Sequence, residues 1–120
     1  MTRLLWLIFA AYWVALAIGT RMPKEAIPDL ATPGLDKPVH LIAFAGWAAL
    51  GAWATSRSWP ARRWAAWMVL PVGLLYGAVD EWTQPWWGRT CDYDDWRSDA
   101  VGVFLGFAVV LVAGALARRS

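Results

Sequence analysis

The sequence predicts an all-α fold: an integral membrane bundle of four transmembrane helices with short loops, forming a single domain over residues 1–120. Three observations carry this reading. Hydrophobic residues make up 59% of the 120-residue chain and the mean hydropathy is +0.40, too apolar for an ordinary soluble domain. The apolar residues fall into four runs, each closed by charge: 4–20 between Arg3 and Arg21, 38–56 between Lys37 and Arg57, 64–79 between Arg63 and Asp80, and 100–117 between Asp99 and Arg118. About 20 residues cross a hydrocarbon core of roughly 30 Å, and ~17 is the short end of the range. These are therefore short spans, helped by Trp and Arg at their ends. A buried soluble helical core needs polar faces towards water, and the runs leave almost none. The predicted helices lie near 4–20, 38–56, 64–84 and 92–117.

Helix 1 carries no charged side chain between Arg3 and Arg21. Trp6, Tyr12 and Trp13 read as lipid-facing or packing aromatics. Ala15-Leu16-Ala17 resembles the A-x-A site of a secretory signal, but Tyr12 and Trp13 crowd the region before it and the apolar run continues to Gly19, so the segment reads as a span. The following loop contains Pro23, Pro28 and Pro33, which rule out a regular helix, and Ala31-Thr32-Pro33-Gly34 reads as a turn.

Helix 2 opens with Asp36-Lys37-Pro38-Val39-His40. Pro38 suits a first turn and Asp36 is a candidate cap. Asp36, His40, Phe44 and Trp47 lie along one face. His40 is the chain's one histidine. It reads either as a satisfied interfacial residue or as part of a site, because an ionisable group inside a span is a site hypothesis by default. The next loop, with Trp59, Arg62, Arg63, Trp64 and Trp67, reads as a headgroup anchor.

Helix 3 contains Pro71, tolerable where neighbours satisfy the freed carbonyl. It ends in Tyr76-Gly77-x-x-x-Glu81-x-x-Gln84 and is stopped by Pro85. Trp82, Trp86 and Trp87 form an aromatic belt, and Gly88-Arg89-Thr90 makes the turn. Helix 4 starts near Asp92, which resembles a capping residue with Asp95 three positions on. Asp99 lies two turns in, at the edge of the apolar run. It needs a partner, for which Arg89, Lys37 and His40 are the candidates.

Six of the nine acids fall within this helix 3–helix 4 region: Asp80, Glu81, Asp92, Asp94, Asp95 and Asp99. Gly73, Gly77 and Glu81 share one helix face; Asp95, Asp99, Gly102 and Gly106 share another. Small residues at such spacing let membrane helices approach closely. If the two stripes meet, Glu81 comes towards Asp95 and Asp99, and crowded carboxylates there require cations or shared protons.

Charge fixes the expected topology. With four spans both termini share one side, which holds Arg3, Arg57, Arg62, Arg63, Arg118 and Arg119; the other side holds Arg21, Lys24, Lys37, Arg89, Arg97 and all nine acids. By the positive-inside rule the termini are cytoplasmic and the acidic loops lie outside. The net charge of +2 is thus a topology signal, and no soluble basic domain is present to bind nucleic acid. Cys91, the single cysteine, has no internal disulfide partner, and its acidic surroundings disfavour a reactive thiolate.

Three motifs in order, Asp36-Lys37-x-x-His40-x-x-x-Phe44, Gly77-x-x-x-Glu81-x-x-Gln84 and Arg89-x-x-Asp92-x-x-Asp95-x-x-x-Asp99-x-x-Gly102, resemble the VanZ-like family of small membrane proteins. The match covers roughly residues 36–106. The resemblance implies a helical membrane protein of the bacterial cytoplasmic (inner) membrane and a link to glycopeptide (teicoplanin) resistance. Lys37, His40, Glu81, Gln84, Arg89 and Asp95 fall on the family's characteristic polar positions. The family usually carries Asn where this chain has Asp99, a departure that bears on any role needing a neutral amide.

Two functional classes follow, beside a salt-bridge network that only fixes packing. In the first, Lys37, Arg89 and His40 hold an anionic head group of a lipid or cell-wall precursor, oriented by Glu81, Asp95 and Asp99. In the second, an intramembrane enzyme uses His40, Glu81, Asp95 and Asp99 for acid–base work, or gathers them round a divalent ion. No nucleophile motif is present, and the spacing is not a recognised metal motif, so no metal or cofactor is expected. The bilayer is the expected partner; the sequence leaves the oligomeric state open.

Overall fold

A computed structural model describes residues 1–27 and 34–119. The 31–34 turn and Pro28 and Pro33 fall wholly or partly outside the described residues. The chain runs as helix α1 (Thr2–Arg21), a 3-10 turn (Lys24–Ala26), α2 (Asp36–Ser58), a 3-10 segment (Arg63–Met68), α3 (Val69–Thr83), a second 3-10 segment (Gln84–Trp87) and α4 (Tyr93–Ala117), with no strand among the described residues. Three of these helices, α1, α2 and α4, are long and apolar enough to cross a membrane. The principal extents are 46 × 24 × 23 Å, so the long axis matches a bilayer with its headgroups, about 40–45 Å. Apolar side chains stand exposed round the bundle, among them Leu7, Ile18, Ile42, Leu75, Val109 and Val112, a surface that suits lipid rather than water.

Helix 3 departs from expectation. A single helix over 64–84 is predicted; the structure has 3-10 geometry over Arg63–Met68 and an α-helix only from Val69. Pro71 is the physical reason. It has no N–H to give to residue 67, so the α ladder cannot extend back through it and Pro71 sits in the first turn instead. At 15 residues α3 is not among the helices long and apolar enough to cross a membrane. Its other end behaves as expected: Gly88 takes φ +76°, the left-handed conformation that closes Gln84–Trp87. Helix 2 starts at Asp36, with Leu35 at the cap position, so Asp36 lies inside the first turn rather than capping it.

The centre is aromatic. Phe44 and Trp47 of α2 are fully buried. Tyr76 stacks on both, at 5.4 and 5.8 Å between centroids, and Trp13 meets Trp47 edge-on at 5.1 Å. Tyr12 and Trp6 tie α1 to α2: Tyr12 OH donates to Ala43 O at 2.7 Å and Trp6 Nε1 to Ser58 Oγ at 2.8 Å. In lipid such packing and bonding hold helices together where the hydrophobic effect does not.

The two faces meet at Gly77 and Asp99, but their glycines do not meet each other. A Cβ on Gly102 or Gly106 would run into the backbone of α2, at Leu41 O and Ala45 O respectively. A Cβ on Gly77 would stand 3.4 Å from Asp99 Cβ, and one on Gly73 would meet Trp47 and Val103. The small-residue face of α4 therefore lets it cross α2 at backbone contact, while α3 receives α4 side chains.

Candidate functional site

The three apolar helices that carry the acids and the histidine end together, and their polar residues gather there. From the start of α2, Lys37 and His40 point the same way, three residues apart. The end of α3 supplies Asp80, Glu81 and Gln84. The start of α4 supplies Asp92, Asp95 and Asp99. His40, Asp80, Glu81, Gln84, Asp95 and Asp99 are all buried.

His40 is the hub. Its Nδ1 pairs with Asp99 Oδ1 at 2.8 Å and lies 4.0 Å from Glu81 Oε1; its Nε2 lies 3.8 Å from Asp95 Oδ2. Of the three partners proposed for Asp99 by sequence, geometry selects His40. Lys37 Nζ donates to Asp95 Oδ1 at 2.9 Å and to Asp92 Oδ2 at 3.2 Å. Gln84 Nε2 donates to Glu81 Oε1 at 2.8 Å and to Asp80 Oδ2 at 3.3 Å.

The N-terminus of α4 is capped across two helices. Asp92 accepts from the Asp94 N–H at 2.8 Å, the ordinary forward arm of a cap. The backward arm, which the spacing assigns to Asp95, comes from α3: the Asp92 N–H donates to Glu81 Oε2 at 3.0 Å. Asp95 is turned inward to Lys37 and His40 instead. Asp92 lies outside the apolar segments, and its carboxyl is held below its usual range, first by the Asp94 N–H and then by Lys37.

A second ion pair was not legible as part of the site. Asp80 is fully buried, and Arg21 Nη1 donates to its Oδ1 at 2.7 Å. Thr20 Oγ1 donates to the same oxygen at 2.9 Å, and Arg21 Nη2 reaches Thr83 Oγ1 at 3.0 Å. The signal lay in the run boundaries, since Arg21 closes the first apolar run and Asp80 the third at the same end of the bundle.

Arg89 faces elsewhere. Its Nη1 donates to Met22 O at 3.3 Å, at the exit of α1, and its Nε is buried without a hydrogen-bond partner. It stands at one end of a groove of about 300 Å³ between α1 and α2, with His40, Thr20, Leu16, Val39 and Tyr12 along the walls. His40 is common to the groove and the cluster. A larger cavity of about 460 Å³ lies at the opposite end, lined by Trp6, Phe9, Trp47, Trp59 and Met68; its walls hold no acid. Cys91 is exposed and forms no disulfide.

Compared with known proteins, the chain matches no family model, no curated protein and no solved structure.

Proposed function

We propose that this is a VanZ-like, multi-pass protein of the bacterial cytoplasmic membrane whose acidic end faces outward and binds an anionic, membrane-embedded component of the cell envelope. The helical run over residues 63–87 serves as the fourth span, which brings both termini to the cytoplasmic side with the six terminal-side arginines. The motifs at Lys37 and His40, at Glu81 and Gln84, and at Arg89, Asp92 and Asp95 support the family reading and its tie to glycopeptide resistance.

One observation carries the binding reading. The α1–α2 groove grades along the helices: Arg89, Asp36, His40 and Thr20 lie, with Val39 and Ile27, at the end where α1 finishes and α2 starts, and Tyr12, Ala15, Leu16 and Ala43 line it further along. That gradient fits an amphiphile, with an acyl or prenyl chain against α1 and an anionic head at Arg89. The buried Nε of Arg89 leaves a donor free for a phosphate or carboxylate oxygen, which the guanidinium fork accepts in two-pronged fashion. Acid–base catalysis by His40 is the second reading and rests on the 2.8 Å His40–Asp99 contact.

The test uses the groove's own empty space. A Cβ on Gly19 meets nothing within 4 Å, and Gly19 lines the groove, so Gly19→Leu fills it without displacing a helix. The protein in phosphatidylcholine nanodiscs is titrated with phosphatidylglycerol or with a polyprenyl diphosphate, and bound ligand is read by native mass spectrometry. Gly19→Leu and Arg89→Gln each weaken retention of one of these by roughly tenfold or more, the worth of one good charged contact. Retention equal to wild type in both variants refutes the groove as the site. A reporter active only in the cytoplasm, fused after Ser120, tests the orientation.

A further inference from the structure

The polar cluster holds more buried carboxylate than its permanent cations offset. Arg21 is taken up by Asp80, and Lys37 by Asp92 and Asp95. The ionisable partner the described residues present to Glu81 and Asp99 is His40, and these two acids are only 3% and 1% exposed. A protonated imidazole offsets one of two negative charges. The other needs a shared proton or a second cation, because a bare carboxylate in a low-dielectric site is expensive. A divalent cation offsets both, with the imidazole neutral.

The positions suit an ion. One ligand atom from each of His40, Glu81 and Asp99 falls within 4.8 Å of the other two, so all three can close on one centre with small side-chain movements. An independent observation points the same way. Asp99 Oδ2 is buried and makes no hydrogen bond. It faces α3, where a Cβ on Gly77 would come within 3.5 Å of it, and Glu81 follows Gly77 one turn along that same face. Gln84 Oε1, on the residue that holds Glu81, is likewise buried without a partner. Orphaned buried oxygens are uncommon and ask for an ion or water that satisfies them.

The geometry points to a divalent cation held by His40 Nδ1, Glu81 and Asp99, an ion of the manganese-to-zinc series rather than calcium or magnesium. Imidazole with carboxylates suits those metals, whereas calcium and magnesium prefer oxygen alone. On binding, His40 Nδ1 leaves Asp99 Oδ1 for the ion. His40 Nε2 then carries the hydrogen and faces Asp95 Oδ2, now 3.8 Å away, while Lys37 fixes Asp95 through its other oxygen. This is the carboxylate–histidine–metal relay that orients ligating imidazoles. Gln84 and the Asp92 N–H fix Glu81 in the same manner. Three protein ligands leave coordination positions open. The inference stands apart from the groove ligand, since the amphiphile test needs no added metal and the metal test needs no amphiphile.

Full-length protein in detergent micelles is stripped with chelator, equilibrated with Zn²⁺ or Mn²⁺ in the presence of excess Mg²⁺, gel-filtered, and assayed for metal by mass spectrometry; affinity is read by competition with a fluorescent chelator. About one ion per chain is expected. Asp99→Asn and Glu81→Gln each remove a ligand and weaken affinity by roughly 100-fold or more, and the positioning variant Asp95→Asn by about 10- to 100-fold. Asp94→Asn, an exposed acid, leaves it unchanged. Wild-type protein that retains less than about a tenth of an ion per chain overturns the proposal whatever the variants do. So does one ion retained with equal affinity by wild type and Asp99→Asn, which places it elsewhere. A variant that loses its helical circular dichroism is replaced by His40→Gln at the same site.

Discussion

Gly106→Ala should be the most damaging single-methyl addition in the chain. The new Cβ would lie on Ala45 O, with Ala45 Cα at 3.0 Å. What it meets is backbone, which cannot rotate aside as a side chain does. Helices α2 and α4 must therefore part by roughly 1 Å, and a gap of that size forfeits about a quarter to a half of each dispersion contact across it. Overpacking of this kind costs about 1–3 kcal/mol, with backbone contacts at the upper end. Alanine returns up to ~1 kcal/mol through better helix propensity. The net is a loss of about 2 kcal/mol, with Gly102→Ala close behind because its Cβ would strike Leu41 O. The internal control is Gly77→Ala, whose Cβ would stand an ordinary 3.4 Å from Asp99 Cβ and should change stability by no more than about 0.5 kcal/mol. Reversible unfolding in mixed micelles of increasing SDS content reads all three. Gly77→Ala proving more destabilising than Gly106→Ala would refute the assignment of the α4 stripe to α2.

Four further outcomes follow from the contacts. Arg21→Gln leaves fully buried Asp80 without its cation and should cost about 3 kcal/mol; adding Asp80→Asn should restore part of that in a double-mutant cycle, and strict additivity would show the pair is not coupled. Lys37→Met should cost only about 1–2 kcal/mol, because Lys37 is 39% exposed although Asp95 is not. Gly77→Leu, unlike Gly77→Ala, brings branched methyls against Asp99 and Phe44 and should lower stability by about 2 kcal/mol in the same assay. The Asp92 carboxyl is held low in the folded state, so its contribution is complete above its unfolded value near ~3.9 and is lost as pH falls through the lower folded value. The stability gap between wild type and Asp92→Asn should therefore be flat from about pH 7 to pH 5 and shrink below about pH 4; a gap that widens there would contradict the assignment.

The helical architecture was legible because lipid imposes a composition that few other environments do: long apolar runs with charge only at their ends. The boundaries of α1, α2 and α4 fall within two residues of the helices predicted at 4–20, 38–56 and 92–117. Helix 3 was misjudged at Pro71, where apolarity continued but the hydrogen-bond ladder could not. The partner of the α4 glycines was beyond the sequence. A small-residue stripe states that a backbone comes near, not which one, and both α2 and α3 were available. The Arg21–Asp80 pair escaped for a related reason: each residue had a sufficient local explanation as the charge that ends a span. Asp99 stood out because it lies two turns into helix 4 with no capping role to explain it, and His40, Glu81 and Asp95 joined it by ending their helices at the same boundary; the capping role that the spacing offered Asp95 is taken by Glu81 instead.

The α2–α4 crossing and the polar cluster are one feature of the fold. Leu41, whose carbonyl receives Gly102, follows His40 in α2, and Gly102 lies three residues beyond Asp99 in α4. Backbone contact at that level is what lets so short a side chain as Asp99 reach His40 Nδ1 directly at 2.8 Å. With helices at the usual 8–10 Å separation, the same pair would be held further apart or bridged by water. The identity of residue 99 then matters in a specific way. Asparagine there would keep an oxygen for His40 but would place an amide N–H₂ where Asp99 Oδ2 now lies buried without a donor. Aspartate supplies an anionic oxygen at that point, and the cost of burying it is met by a cation. The close crossing and the orphaned oxygen both bear on one atom, Asp99 Oδ2.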